Sequence, residues 1–120
     1  MHFVGFATYI VASARNGTLY AGHTDELLRR AEEHRLGTFK GFFSKYACRY
    51  LPWFEAHDSR DDAFRRERQI KKWRRVWKLD LIEALNPLWL DLGQVPCWPV
   101  PDRAKWPELY AGCMEFRIPH

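Results

Sequence analysis

The sequence lacks most of the features that identify a membrane protein or a common enzyme class. Its 120 residues contain no run of eighteen apolar residues, so we expect no transmembrane helix. The N-terminal segment is apolar but has no basic region, so we do not expect a signal peptide. A nucleophile elbow, a P-loop, a dinucleotide-binding fingerprint and the zinc-protease pattern H-E-x-x-H are absent from the sequence. Nothing in the sequence therefore supports those enzyme classes.

Cysteine is also scarce. Cys48, Cys97 and Cys113 are odd in number, and no pair has C-x-x-C spacing. We therefore expect neither a disulfide framework nor a zinc cage, and reduced thiols fit a cytoplasmic protein. The hydrophobic fraction of 47% and the aromatic fraction of 16% predict a folded chain, and its length suits one domain.

Positive charge is concentrated in one part of the chain. The net charge is +4, and residues 65–78 alone hold eight basic side chains and one acidic one. Such a segment indicates a polyanionic partner, most simply nucleic acid, although it is also typical of a solvated helix face. The basic residues that we expect to meet phosphate are Lys71, Lys72, Arg74, Arg75 and Lys78.

The first elements predicted are two strands in a hairpin. Residues 6–13 and 18–22 are rich in β-branched and aromatic side chains, and Asn16-Gly17 between them is typical of a two-residue type I′ turn. That loop would place Val11 opposite Gly22. Because side chains alternate along a strand, one face then carries Tyr9, Val11, Ser13, Tyr20 and Gly22. A four-residue loop preserves this parity, and a three-residue loop breaks it.

The hairpin is followed by a predicted helix that Thr24 or Asp25 can cap. Its apolar side consists of Leu27, Leu28 and Ala31. Arg30 and His34 are four residues apart and flank that side. We therefore expect their polar groups at the edge of the core rather than in bulk water.

The remaining elements complete a mixed fold. Residues 46–57 predict a third strand, in which Pro52 requires an edge position or a bulge. A helix capped by Asp58 or Ser59 extends to about Trp73, and another covers 74–86. This pattern predicts an α+β fold with helices against a small antiparallel sheet.

The last part of the chain differs in composition. Residues 93–120 contain five of the seven prolines together with large aromatic side chains. We expect them to form a C-terminal extension packed on a domain of residues 1–92.

A carboxylate interrupts the apolar stripe of the second helix. Glu67 lies three residues from both Phe64 and Ile70, and the stripe comprises Ala63, Phe64, Ile70, Trp73 and Trp77. A buried carboxylate costs several kcal/mol unless it is paired or bound to metal. Glu67 is therefore either half of an ion pair with a nearby arginine or an oxygen ligand for a hard cation. Trp73 and Trp77 are interpreted as core residues rather than as base-stacking platforms.

Tyrosine, arginine, histidine and a lone glutamate together suit metal-assisted cleavage of a phosphodiester. Arginine binds the phosphate, glutamate holds the cation, and tyrosine or histidine moves a proton. Each residue also has an ordinary use. The tyrosines can be strand residues with satisfied hydroxyls, His34 a surface residue, and Arg30 the partner of a nearby glutamate.

Ordered motifs over Phe6–Leu92 resemble those of the GIY-YIG endonuclease family, in its small single-domain bacterial form. They are Ala7-Thr8-Tyr9, Tyr20-Ala21-Gly22, the helix Thr24–Arg30 with Glu33-His34, Glu67–Trp73 and Leu85–Trp89. Ala7-Thr8 stands where Gly-Ile is usual, and Ala21 stands for Ile. The resemblance implies a three-stranded antiparallel sheet flanked by helices.

The resemblance also implies roles. One of Tyr9 and Tyr20, with or without His34, handles the proton of the attacking water. Arg30 contacts the scissile phosphate, and Glu67 holds a single Mg²⁺ or Mn²⁺. Asn86 matches a polar position that supports the site, although before Pro87 it is also typical of a helix stop.

We therefore expect a cytoplasmic, metal-dependent DNA endonuclease that is structure-directed or weakly sequence-specific and acts in DNA repair or recombination, with a partner protein supplying specificity. The alternative is a non-catalytic nucleic-acid-binding module, which would not need Glu67, since a carboxylate without a metal repels phosphate. A protein-interaction domain using the aromatic tail is a third hypothesis. Single-stranded, branched and duplex substrates, DNA and RNA, and the choice between Tyr9 and Tyr20 as base all stay open at this point.

Overall fold

The computed structural model describes residues 5–36, 48–95 and 103–120. Its three strands form one antiparallel sheet in the order β2-β1-β3, with β1 (Phe6–Ala12), β2 (Leu19–Thr24) and β3 (Tyr50–His57). The helices are α1 (Leu27–Leu36), α2 (Arg60–Lys71), α3 (Arg75–Leu85) and a short α4 (Trp106–Tyr110). The predicted α+β fold, a three-stranded antiparallel sheet with flanking helices, is confirmed.

The β1–β2 hairpin has a four-residue loop, so the expected two-residue turn is wrong. Ser13 explains the difference, because its backbone N–H donates to the Thr18 carbonyl (3.0 Å) and its hydroxyl accepts from the Thr18 N–H (2.9 Å). Asn16 adopts a positive φ of 61° within the loop. Tyr9 thus faces Gly22, and Val11 faces Tyr20 instead of Gly22. The parity survives, so both tyrosines share a face of the sheet.

Strand β3 occupies an edge of the sheet, as Pro52 requires. Its register against β1 shifts between Ile10 and Ala12, which shows an irregularity beside the proline. Pro52 cannot donate a backbone hydrogen bond, and an edge strand with a local shift accommodates it.

The two faces of the sheet are covered by different elements. Tyr9 and Val11 pack in one core cluster with Leu27 of α1 and with Trp106 and Tyr110 of α4. The opposite face packs in a second cluster against α2 and α3, and its buried residues include Ile10, Trp53, Ile70 and Ile82. Residues near the C-terminus contact the domain directly, since the Ile118 N–H donates to the Trp89 carbonyl at 2.7 Å.

The buried helix faces differ from expectation by one residue. Helix α1 buries Leu27, Ala31 and His34, whereas Leu28 is 37% exposed. In α2, Ala63, Glu67 and Ile70 are buried, and Phe64 is 41% exposed. Positions i, i+4 and i+7 lie along one line of a helix, so the adjacent residue turns away from the core.

Helix α3 also differs, because Trp77 is 51% exposed and the prediction that it is a core residue is wrong. None of the helices in the described parts of the chain is long and apolar enough to span a bilayer.

Candidate functional site

The site is built around Tyr9, which lies across Gly22 of the neighbouring strand. A Cβ atom at Gly22 would lie 2.5 Å from the Tyr9 hydroxyl oxygen and 2.6 Å from Cζ. Only glycine therefore allows the ring to take this position. Tyr9 is 3% exposed, and its hydroxyl lies beside Gly22 of the edge strand β2.

Tyr9 and His34 form a buried polar pair. The Tyr9 hydroxyl lies 3.3 Å from His34 Nε2, and His34 is 1% exposed. Burial raises the pKa of Tyr9 well above its ordinary value, although Arg30 partly opposes this. Burial, and then Arg30, lowers the pKa of His34 to about 4. Both side chains are therefore neutral at neutral pH.

The charges that act on Tyr9 identify the rest of the site. Beside Arg30, which lowers the pKa of Tyr9, three groups raise it: Tyr20, Glu67 and Glu33. Together with His34, which contacts the Tyr9 hydroxyl, these residues lie near Tyr9. Five of the six residues predicted for the chemistry are therefore close together: Tyr9, Tyr20, Arg30, His34 and Glu67.

Two adjacent arginines of α1 differ in environment. The Arg30 side chain is 24% exposed, and its Nη1 lies 3.6 Å from Glu33 Oε1. The Arg29 side chain is 63% exposed and pairs with Glu26 at 3.0 Å. Only Arg30 is placed where its charge acts on Tyr9 and His34.

Glu67 lies on the inner face of α2, on the side of the sheet opposite α1. Its Oε1 is 2.8 Å from His23 Nδ1, and its Oε2 is 3.4 Å from Lys71 Nζ. The sequence left open an ion pair between Glu67 and an arginine. In the structure, the partners of Glu67 are instead a histidine and a lysine.

Tyr20 lies at the edge strand beside this charged group. The Lys71 ammonium is 4.9 Å from the centroid of the Tyr20 ring and also contacts Glu67. Unlike Tyr9, Tyr20 is only partly buried. Lys71, Glu67 and His23 are referred to below as the charged cluster, and Tyr9 with His34 as the neutral pair.

A single carboxylate suits a hard divalent cation that completes its shell elsewhere. Mg²⁺ usually keeps several waters and binds one or two carboxylates plus substrate phosphate. Among the described residues, no group of three or more His, Cys, Asp or Glu side chains could enclose a metal. Glu67 is 8% exposed, with His23 and Lys71 at its two oxygens, and as the one carboxylate of this cluster it fits an ion completed by water and phosphate.

Sequence reasoning did not assign His23 to the site. The residue immediately follows Tyr20-Ala21-Gly22, and strand alternation places it on the face opposite Gly22, toward α2. Its ring packs edge-on against Phe64 at 5.3 Å. Strand alternation together with the inward position of Glu67 could have predicted the contact between His23 and Glu67 from the sequence.

Asn86 ends α3 and is bonded to backbone groups. Its Nδ2 donates to the carbonyls of Pro52 (2.8 Å) and Leu90 (2.9 Å), and its Oδ1 accepts from the Leu90 N–H (3.0 Å). These bonds fasten the end of α3 to β3. Asn86 thus supports the sheet that carries the site.

The predicted phosphate-binding residues divide between two places. Lys71 belongs to the charged cluster. Lys72, Arg74, Arg75 and Lys78 lie at or after the end of α2, where Arg74 stacks on Trp77 and Arg75 donates to the Asn16 carbonyl.

Comparison with known proteins finds a family model and several relatives that match this chain. Residues 5–80 match the family model of the GIY-YIG catalytic domain. A UPF0213 protein of Pseudomonas aeruginosa is 44% identical over 66 residues, which are 55% of this chain and 62% of the relative. One from Pediococcus pentosaceus is 33% identical over 66% of this chain and 82% of its own length. One from Staphylococcus aureus is 32% identical over 68% and 94%, respectively. No solved structure matches the chain significantly.

Proposed function

Because the chain belongs to the GIY-YIG family, we propose that it is a divalent-metal-dependent endonuclease that hydrolyses DNA. The family is one of nucleases, so a nucleic acid substrate follows from membership. DNA as the substrate and Mg²⁺ or Mn²⁺ as the ion are the finer parts of the proposal.

The observation that carries the proposal is the inner carboxylate of Glu67 beside a partly exposed phenol. Glu67 is 8% exposed, and Lys71 connects it to Tyr20. A binding module gains no affinity for phosphate from a carboxylate at this place, because the carboxylate repels the phosphate. When bound there, a divalent ion would polarise the phosphate and stabilise the leaving oxygen.

The two tyrosines differ in exposure, and this difference supports a different role for each of them. Tyr20 is accessible and adjoins a positive charge, so it is positioned to accept the proton of the attacking water, its own proton passing to solvent. Tyr9 is buried and neutral, and its hydroxyl holds His34. We propose that Tyr9 and His34 are positioning residues that fix β2 and α1 against each other.

Arg30 completes the arrangement. Its Nη1 lies 3.6 Å from Glu33 Oε1, and a guanidinium at this place can bind a phosphate oxygen. Water attacks phosphorus and the opposite P–O bond breaks, with the added negative charge facing Arg30. Asn86 would support the site through β3.

The finer description concerns specificity and organisation. We propose low sequence specificity, because the basic residues after α2 suit phosphates rather than base edges. A nuclease of low sequence specificity would select its substrate by DNA structure. DNA of unusual structure arises in repair and recombination, where a partner protein would add to the selection of the substrate. Residues 1–92 would form the catalytic unit, and 93–120 a packed extension.

The test is cleavage of labelled single-stranded, duplex and branched DNA with Mg²⁺, Mn²⁺ or a chelator. Native protein, Glu67→Ala and Arg30→Ala are compared, with circular dichroism verifying the fold. We expect native cutting that requires metal and is lost in both variants. Binding without cutting on every substrate, unchanged in Glu67→Ala, would instead establish the non-catalytic binding module.

A further inference from the structure

A second surface of unusual composition lies where α2 meets α3. Trp73 is partly buried against the second core cluster, whereas Trp77 is 51% exposed. The two indole rings meet edge to face, with centroids 6.3 Å apart and an angle of 82°. A side chain of this size gains little stability from such an exposed position, so its exposure needs another reason.

One arginine side chain lies over each of the two indole rings. The Arg66 guanidinium carbon lies 5.2 Å from the Trp73 centroid, and that of Arg74 lies 5.8 Å from the Trp77 centroid. Trp73, Trp77, Asp80 and Leu81 line an open, mainly apolar depression of about 490 Å³. The depression is large enough for a flat aromatic ligand, with the two guanidinium groups close by.

Charge complementarity decides the kind of ligand. Residues 65–78, which include both tryptophans, hold eight basic side chains, and those of Arg66 and Arg74 contact the two indole rings. Burial, and then repulsion from Arg75 and Lys71, lowers the pKa of Lys78, so positive charge is crowded here and an anionic partner relieves it. An apolar protein segment would bury the tryptophans but leave this charge uncompensated.

Asp80 settles where the phosphates lie. Its carboxylate lines the depression and repels a phosphate there, but it accepts hydrogen bonds from amino or imino groups of a base. A nucleotide bound here would therefore place its base in the depression and its phosphates outside it, near the basic side chains of this segment. Bases in an intact duplex are stacked on their neighbours and are not available for this contact.

We propose that the Trp73–Trp77 surface stacks an unpaired base, so that the protein selects nucleic acid in which a single-stranded segment adjoins the cut. This inference rests on the proposed function and names its substrate class. The surface begins two residues after Lys71 of the charged cluster, and one strand can thus follow the basic residues from the site to the tryptophans.

The experiment measures binding in a chelator, so that its result does not depend on cleavage. Fluorescein-labelled 12-mer single strands and blunt duplexes of equal length are titrated with native protein, Trp77→Ala and Val76→Ala. Val76 is the matched control, because it is 53% exposed at the position immediately before Trp77 in the same helix. Thermal melting verifies that each variant is folded.

We expect Trp77→Ala to weaken single-strand binding about tenfold, the usual effect of one lost base–aromatic stack. Duplex binding should change less than twofold, and Val76→Ala should match native protein on both probes. Trp77→Phe should recover part of the affinity. Equal losses on single strand and duplex, or no loss at all, would overturn the inference.

Discussion

The two faces of the sheet hold polar side chains in opposite ways. On the α1 face, Tyr9 and His34 are buried, bonded to each other and uncharged at neutral pH. On the α2 face, Glu67 is bonded to His23 and Lys71, and the cluster opens toward Tyr20 at the sheet edge. Under the proposed function, the neutral pair would set the geometry of the site, while the charged cluster and Arg30 would bind the ion and the phosphate.

The largest effect on the cleavage rate should come from substituting Arg30, with the adjacent Arg29 as its control. Arg30→Ala should lower the cleavage rate about a thousandfold, because it removes the cation expected to stabilise the phosphate in the transition state. Arg29→Ala should stay within about twofold, since Arg29 is 63% exposed and pairs with Glu26. Single-turnover cleavage rates distinguish them, and equal effects would show that Arg30 has no special position.

The tyrosines provide the next test of the division of work. Tyr20→Phe should lower the single-turnover rate about 10²- to 10³-fold, as expected for the loss of a proton acceptor. Tyr9→Phe keeps the ring over Gly22 and should cost about tenfold. Measured side by side on one substrate, the reverse order would assign the proton transfer to Tyr9.

A stability measurement addresses the neutral pair. The pKa of His34 is about 4 in the folded chain against an ordinary 6.5, so the unfolded chain binds the extra proton between these values. The free energy of unfolding should therefore fall by roughly 3 kcal/mol at most as pH drops from 6.5 to 4, and be unaffected by His34 above 6.5.

His34→Gln should flatten that part of the profile in urea titrations. His120→Gln is the control, because His120 is exposed at the C-terminus. If both variants retain the native pH dependence, His34 is not held neutral by the fold.

The smallest effect is expected at His23. His23→Gln removes the imidazole that orients Glu67 but leaves the carboxylate, so the Mg²⁺ concentration for half-maximal cleavage should rise about tenfold. The saturated rate should change little. A lost saturated rate with unchanged Mg²⁺ dependence would mean that His23 acts on the substrate instead.

The sequence predicted the local parts of this arrangement and missed the parts that depend on tertiary packing. Side-chain alternation alone placed Tyr9 and Tyr20 on one face, and this survived a wrong loop length because four residues preserve the parity of two. The inward position of Glu67 followed from helical spacing. Its partner His23, 44 residues away in sequence, depends on how α2 crosses β2.

The exposure of Trp77 was missed for the same reason. Its spacing from Ile70 and Trp73 is typical of the apolar face of one continuous helix. In the structure, α2 ends at Lys71 and α3 begins at Arg75, so Trp77 belongs to a different helix from Ile70 and need not share its buried face. Asn16-Gly17 was likewise a correct turn signal with the wrong loop length, because the Ser13 side chain closes the loop earlier.

The most direct test of the charged cluster is to measure Mn²⁺ binding by electron paramagnetic resonance. The measurement is made in the presence of DNA that carries a non-cleavable linkage. Native protein and Glu26→Gln, an exposed control, should both bind one ion, and Glu67→Gln should lose it. Equal Mn²⁺ binding by Glu67→Gln and native protein would contradict the assignment of Glu67 as the ligand on which cleavage depends.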